Sequence, residues 1–460
     1  MRIIDMGNSL KKALIFLALP LAGMINHVTA QPALDNYIKE GQNANLVLKS
    51  RNVSLEKSLL ALKEARSFYL PTSWFDGQYT FARGGRAISF PVGDLLNPVY
   101  QTLNQITGTE KFPPVSNVNE QLLPNNFYDL RIKTSMPLIN QEIRYNRNIK
   151  QQEVLLKENE INLYKRELIR EIKTAYYSIL MAKQAISIYQ QALLVVNQNL
   201  RLNQSLLANG KGLPAYVSRA ESEVKVVETQ LQNAENDMRK ASAYFNALLN
   251  RELSEPVELE EPPLIPYTLN ETSGYTENIS GREELKSLQL SRGIQSQVFR
   301  MNKSYRTPKL NAFLDLAAQD FNFRVNRQSF FYLGGLQMTV PIFAGNRNLY
   351  KIKQTELDLK QLELMTSNTR KQIELAAFTS KSNAASHYSN YISSLKQEES
   401  AAVYFRLIER GYKEGINNYI ELLDARNQHT QSQLQSALNK FRYLASMADY
   451  ERQTSSYLIN

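Results

Sequence analysis

Apolar side chains recur at two periods along this chain of 460 residues, and each change of period marks a boundary between elements. Over 143–209 and 345–411 they fall three and four apart, as in Leu163, Ile169, Ile172, Tyr176, Ile179 and Leu180, on a background of Gln, Glu, Lys, Ala and Asn. That spacing predicts helices with one apolar face, and neither run holds a proline to break it. At about 1.5 Å per residue each extends on the order of 100 Å, more than a compact domain needs. Both stop at glycine-bearing turns, Asn209-Gly-Lys-Gly-Leu-Pro214 and Glu414-Gly-Ile-Asn-Asn418, beyond which helices are predicted over 214–251 and 417–455. Short turns between long helices make antiparallel hairpins. Two more helices are predicted over 34–66 and 282–304.

Four other runs alternate with period two. In 126–136, Tyr128, Leu130, Ile132, Thr134 and Met136 oppose Asp129, Arg131, Lys133 and Ser135; in 73–83, Phe75, Tyr79 and Phe81 oppose Asp76, Gln78 and Thr80. In 309–319, Leu310, Ala312, Leu314, Leu316 and Ala318 oppose Asn311, Asp315 and Gln319; in 330–340, Tyr332, Leu336, Met338 and Val340 oppose Gln337 and Thr339. Strands of about 10 residues with one apolar and one polar face suit a transmembrane β-barrel, or a soluble sheet with one wet face. A barrel built from these needs several chains, because the smallest single-chain barrels have about eight strands. Residues 84–124 join the first strand pair and carry an amphipathic pattern through Phe90–Pro98 and Tyr100–Ile106. They read as an enlarged extracellular loop with a short helix, either a lid or plug or a decoration of the barrel rim.

The pattern occurs twice. Pro137-Leu-Ile-Asn-Gln-Glu-Ile-Arg-Tyr145, leading to Gly210 through Ala220, recurs as Pro341-Ile-Phe-Ala-Gly-Asn-Arg-Asn-Leu-Tyr350, leading to Gly415 through Ala425, at an offset of about 204 residues. A duplication is expected, with a first repeat over 31–252, a linker over 253–281 rich in Pro and Glu, and a second repeat over 282–460.

Composition narrows the classes. Arg2, Lys11 and Lys12, an apolar run from Ala13 to Ile25, and Val28-Thr-Ala30 before Gln31 have the layout of a secretory signal peptide over 1–30, the alternative being an uncleaved anchor. Beyond it no stretch of about 20 apolar residues is expected to cross a membrane as a helix. The chain has no cysteine, which removes thiol catalysis, disulfides and a lipoprotein tether. His387 and His429 sit in polar helical patterns and are expected at the surface, so neither a metal nor another cofactor is implied. The formal net charge of +10 comes from basic residues interspersed with acids, a solvated surface and not a nucleic-acid footprint. No nucleophile triad or phosphate loop appears, and no enzyme activity is expected.

In this order, and twice, Arg282-Glu-Glu-Leu-Lys286, Pro341-Ile-Phe-Ala-Gly345 and Tyr412-Lys-Glu-Gly-Ile-Asn-Asn-Tyr-Ile-Glu-Leu-Leu-Asp-Ala425 resemble the TolC-like outer-membrane efflux protein family. The resemblance covers essentially the whole chain after the signal. It implies a mixed α+β membrane protein: a homotrimer whose twelve strands, four per chain, form one outer-membrane β-barrel continuous with a long periplasmic α-helical barrel. It further implies a Gram-negative outer-membrane exit duct of a tripartite efflux or type I secretion system, with a periplasmic adaptor and an inner-membrane transporter as partners. A periplasmic coiled-coil structural or adhesive protein, or the adaptor subunit itself, are the alternatives.

Glu421 and Asp424, spaced i, i+3, share a helix face just past the second turn. The resemblance places acidic residues there in a narrow tunnel entrance, where six carboxylates from three chains favour cations and raise one another's pKa. Tyr412 matches a tyrosine whose hydrogen bonds help hold the entrance shut. Asn417 stands where an arginine is usual and Tyr216 where an aspartate is usual, so neutral hydrogen bonds are expected to hold the gate in place of salt bridges. Gly210, Gly212, Leu213, Gly415 and Ile416 occupy the tips that touch the adaptor in the family.

Overall fold

The computed structural model describes residues 32–262 and 279–457. The expected signal peptide and much of the linker lie outside the described residues. Two helices open the fold, α1 (Pro32–Ala44) and α2 (Leu46–Ser67), where one was expected. The break falls at Asn45, whose side chain has three partners: its Oδ1 accepts from the Leu48 N–H at 3.1 Å and from Tyr164 Oη at 3.1 Å, and its Nδ2 donates to the Leu248 carbonyl at 2.9 Å. A buried amide so engaged caps a new helix and turns the chain.

Strand β1 (Thr72–Thr80) stops short of Phe81 and leads into β2 (Ala87–Phe90), α3 (Val92–Thr107) and β3 (Val118–Gln121) before β4 (Phe127–Ile139). The expected loop thus contains its helix and also a small hairpin that periodicity did not show. Then come α4 (Gln141–Ala208), α5 (Pro214–Leu248), α6 (Glu283–Lys303), β5 (Lys309–Phe321), β6 (Phe330–Thr339), α7 (Arg347–Lys413) and α8 (Tyr419–Thr454). At 68 and 67 residues, α4 and α7 have the length read from the sequence.

The main sheet is antiparallel in the order β1-β4-β5-β6, and each outer strand has a partner on one side only. Register lines up the two faces. Phe75, Ile132, Leu316 and Tyr332 form one continuous row across four strands, and all are exposed in the single chain. The neighbouring row runs Asp76, Arg131, Ala317 and Phe331, with Lys133 bonded to Asp76 at 3.1 Å and Arg131 to Asp129 at 2.5 Å. One face is therefore apolar, and the other is charged on β1 and β4 and mixed on β5 and β6.

The main core lies among the helices. Leu34, Tyr37 and Ile38 of α1 pack with Leu168, Ile172, Tyr176 and Ile179 of α4, with Phe245 of α5 and its cap Leu249, and with Phe441 and Leu444 of α8. The backbone N–H groups of Glu258 and Glu260 donate to the hydroxyls of Tyr37 and Tyr176 at 2.8 and 2.7 Å, which straps the start of the connector onto this core. The expectation that no later helix is apolar enough for a membrane needs correction, since an 18-residue window of α4 meets that test by length and composition. Only a third of that window is buried inside the single chain.

Beside the core, the Arg282-Glu-Glu motif acquires a role. Arg282, 3% exposed, grips Glu284 through both Nε and Nη2 and donates to the Gln453 carbonyl at 2.6 Å, while Glu283 meets Arg166 at 2.5 Å.

Candidate functional site

The two hairpin turns are built alike. At the α4–α5 turn Gly210 takes φ 72° and the Lys211 N–H bonds the Leu206 carbonyl at 2.8 Å; at the α7–α8 turn Gly415 takes φ 79° and the Ile416 N–H bonds the Gly411 carbonyl at 2.8 Å. Left-handed backbone at these positions favours glycine. Gly212 is needed for space, since a Cβ there would lie 2.7 Å from the Leu207 nitrogen. Leu213 and Ile416 stand out into solvent, 54% and 76% exposed.

Beneath the turns is a small apolar cluster of Ala220, Tyr412, Tyr419 and Leu422, with Tyr216 tilted against Tyr419 at 5.5 Å between ring centres. Tyr412 Oη donates to Asn203 Oδ1 at 2.8 Å. Burial pushes the Tyr412 phenol upward and that of Tyr419 up to about 12, so both remain protonated donors at neutral pH.

Glu421 and Asp424 are both exposed but have different surroundings. Glu421 closes a capping box with Asn418 and accepts from Asn417 Nδ2 at 2.8 Å and from the Asn418 N–H at 3.1 Å. These bonds hold its carboxyl below the usual range, the opposite direction to the mutual repulsion expected of a crowded ring. Asp424 instead borders an open polar groove between α7 and α8, with Ser400, Tyr404 and Gln428.

One feature escaped the sequence reading. Arg426 Nη2 bonds Glu223 Oε1 in a pair buried on both sides, linking α8 to α5, with Arg219 4.0 Å away. The signal was present, because Glu223 lies in step with Ala220 and Val227, and Arg426 with Leu422, on stripes of otherwise apolar residues. His429, expected at the surface, is half-buried and stacks on Phe405 at 5.6 Å between ring centres, and desolvation lowers its pKa. Among the described residues no group of three or more His, Cys, Asp or Glu is placed to hold a metal ion.

A four-stranded sheet with an exposed apolar row is thus joined to helices on the order of 100 Å long. Residues 117–251 match the family described as outer membrane efflux protein. No curated protein sequence matches the chain. The fold is similar to that of the outer-membrane channel OprN, with 14% identity, 92% of this chain and 90% of that one covered and a TM-score of 0.74. It is similar to VceC from Vibrio cholerae, with 15% identity, 92% and 95% covered and a TM-score of 0.72, and to the CmeC channel of Campylobacter jejuni, with 13% identity, 92% and 85% covered and a TM-score of 0.74. The chain is thus similar to outer membrane efflux proteins over 117–251, and similar in fold to these channels over nearly all of its length.

Proposed function

We propose that three copies of this chain assemble into a twelve-stranded barrel in a Gram-negative outer membrane and a helical conduit below it. The conduit serves as the exit duct of an efflux or type I secretion system. The observation that carries this reading is the open four-stranded sheet, whose outer strands each lack a second partner and whose apolar row is exposed. An exposed apolar strand face belongs against lipid and not water, and unpaired strand edges are not stable in a bilayer, so closure needs further copies. The charged row through Asp76 and Arg131 then lines a wet lumen, and the polar helices suit a water-filled passage.

Within this reading the two helical hairpins of each chain descend from one duplicated unit, and their tips form the entrance. Leu213 and Ile416 offer exposed apolar contacts to a periplasmic adaptor, with Gly210, Gly212 and Gly415 shaping the turns that present them; an inner-membrane transporter supplies the cargo. Tyr412, Asn417 and Tyr216 sit where a gate is needed, and Asp424 with Glu421 faces the entering solute. The function is conduction, with no cofactor. A coiled-coil structural or adhesive protein has no use for the four-stranded sheet, and an adaptor is expected to carry one hairpin between compact β domains.

Mass measurement of the detergent-extracted protein, paired with planar-bilayer recording, tests the proposal. A trimer with stepwise conductance is expected. A stable monomer without conductance overturns it.

A further inference from the structure

The insertion between β1 and β4 is tied together by its own hydrogen bonds yet, among the described residues, has no seat on its own chain. Three asparagines fasten α3 to the strand-like strap over 109–117. Asn97 exchanges both amide bonds with the Val115 backbone at 2.9 and 2.7 Å, and Asn104 does the same with Phe112 at 2.8 and 3.1 Å. Asn117 accepts from the Asp94 N–H at 3.1 Å and donates to its carboxylate at 2.9 Å. Gly93 lets the strap approach so closely that a Cβ would meet the Val115 carbonyl at 2.2 Å. Gly93, Asn97, Tyr100 and Asn104 thus form the bound face of the helix, with Tyr100 against Phe112 at 5.7 Å.

The other face is free. Leu95, Val99 and Ile106, spaced for one side of a helix, are 70%, 53% and 77% exposed. Among the described residues, α3 packs on no other helix or strand beyond passing contacts. A reciprocally clasped helix with an apolar stripe and nothing beneath it is shaped for a surface outside its own chain.

We propose that this surface is the same stripe on neighbouring copies, so that three α3 helices meet over the outer mouth of the barrel as an apolar lid. This rests on the trimeric reading above. In that assembly the insertions rise from equivalent strands at one end of the barrel, away from the helical hairpins, and a threefold axis relates their exposed stripes. The chemistry of α3 favours copies over lipid. Helices that lie in a membrane interface carry Lys and Arg on the polar face, whereas α3 has neither, and its one charge, Asp94, is occupied by Asn117. An apolar constriction of this kind closes a pore by excluding water.

The chain contains no cysteine, so an introduced one reports alone. Oxidising the V99C variant in native outer membranes is expected to give a disulfide-linked dimer, with at most about two chains in three joined because each cysteine pairs once. K111C, on the strap, is expected to stay unlinked. Conductance of oxidised V99C should rise on adding reductant, and L95D/V99D/I106D should lose the low-conductance level. The detergent mass of each variant separates the two readings. A monomer removes the assembly itself; an intact trimer in which V99C stays unlinked, or reacts with a lipid-soluble maleimide, overturns the lid alone.

Discussion

The hydroxyl of Tyr412 reaches Asn203 across 209 residues of sequence and ties the end of α7 to the end of α4. Asn203 is 2% exposed, and its Nδ2 is already given to the Asn199 carbonyl at 2.8 Å, so its Oδ1 depends on the tyrosine. Y412F is expected to cost about 1 kcal/mol, the net worth of a neutral hydrogen bond, and to raise leak through the closed entrance. Thermal unfolding and single-channel recording check this. If both are unchanged, Tyr412 only packs.

The Arg426–Glu223 pair makes the opposite kind of link. Removing Glu223 strands the buried Arg426, so E223A is expected to lose about 3–5 kcal/mol, while R426M/E223L, which removes both charges, should keep most of the stability. Hydrogen exchange over 219–227 and 422–430 reads the difference. Equal protection in the two variants would mean that the pair is solvated in solution.

Strong acid should weaken the charged cluster beside the core. Burial alone would raise the carboxyl of Glu284, but the fork of Arg282 and the nearby Arg452 outweigh it and bring it down to about 2. Because the folded value lies below the ordinary carboxylate value, the stabilisation is complete above about pH 4.5 and is lost as pH falls through about 2. Thermal melts of wild type should decline across that window, and E284Q should show a lower melting point at neutral pH with a flatter acid limb. Parallel acid limbs would place the sensitivity elsewhere.

Asp424 provides the test of cation preference. If copies of it crowd the entrance, a trivalent cation added from the helical side should block current. D424N should weaken that block, and the effect should fade as the Debye length drops from about 10 Å at 0.1 M salt to about 3 Å at 1 M. E421A is expected to loosen the capped turn as well, which hydrogen exchange would register separately. Equal block in wild type and D424N would move the filter to the charged strand row of Asp129, Arg131 and Lys133.

Repetitive features were legible in the sequence. The lengths of α4 and α7 follow from uninterrupted spacing of three and four, and the strand faces follow from period two, which is why Phe75, Ile132, Leu316 and Tyr332 fall in one row. What was missed depends on partners far away in sequence. Asn45 breaks a helix because Leu248 and Tyr164 engage its amide, and a lone asparagine in a polar helix gives no sign of this. Likewise Asn97 and Asn104 read as loop residues until the strap folds back on them, and Arg426 as surface charge until Glu223 is placed beside it. His429 was misjudged for the same reason, since Phe405 reaches it from the other helix of the hairpin.

The strap of Glu258 and Glu260 over Tyr37 and Tyr176 carries a consequence for time. The core it closes draws on residues 33–38, 168–180, 245–249 and 441–444, almost the full span of the chain. Contacts of such long sequence separation form late, because the loops between them must be closed before any contact offsets their entropy. Leu34, Tyr37 and Ile38 therefore have no place to be buried until α4 has been made, and the cluster is complete only when Phe441 and Leu444 arrive. A chain with this wiring cannot finish folding piece by piece as it is made.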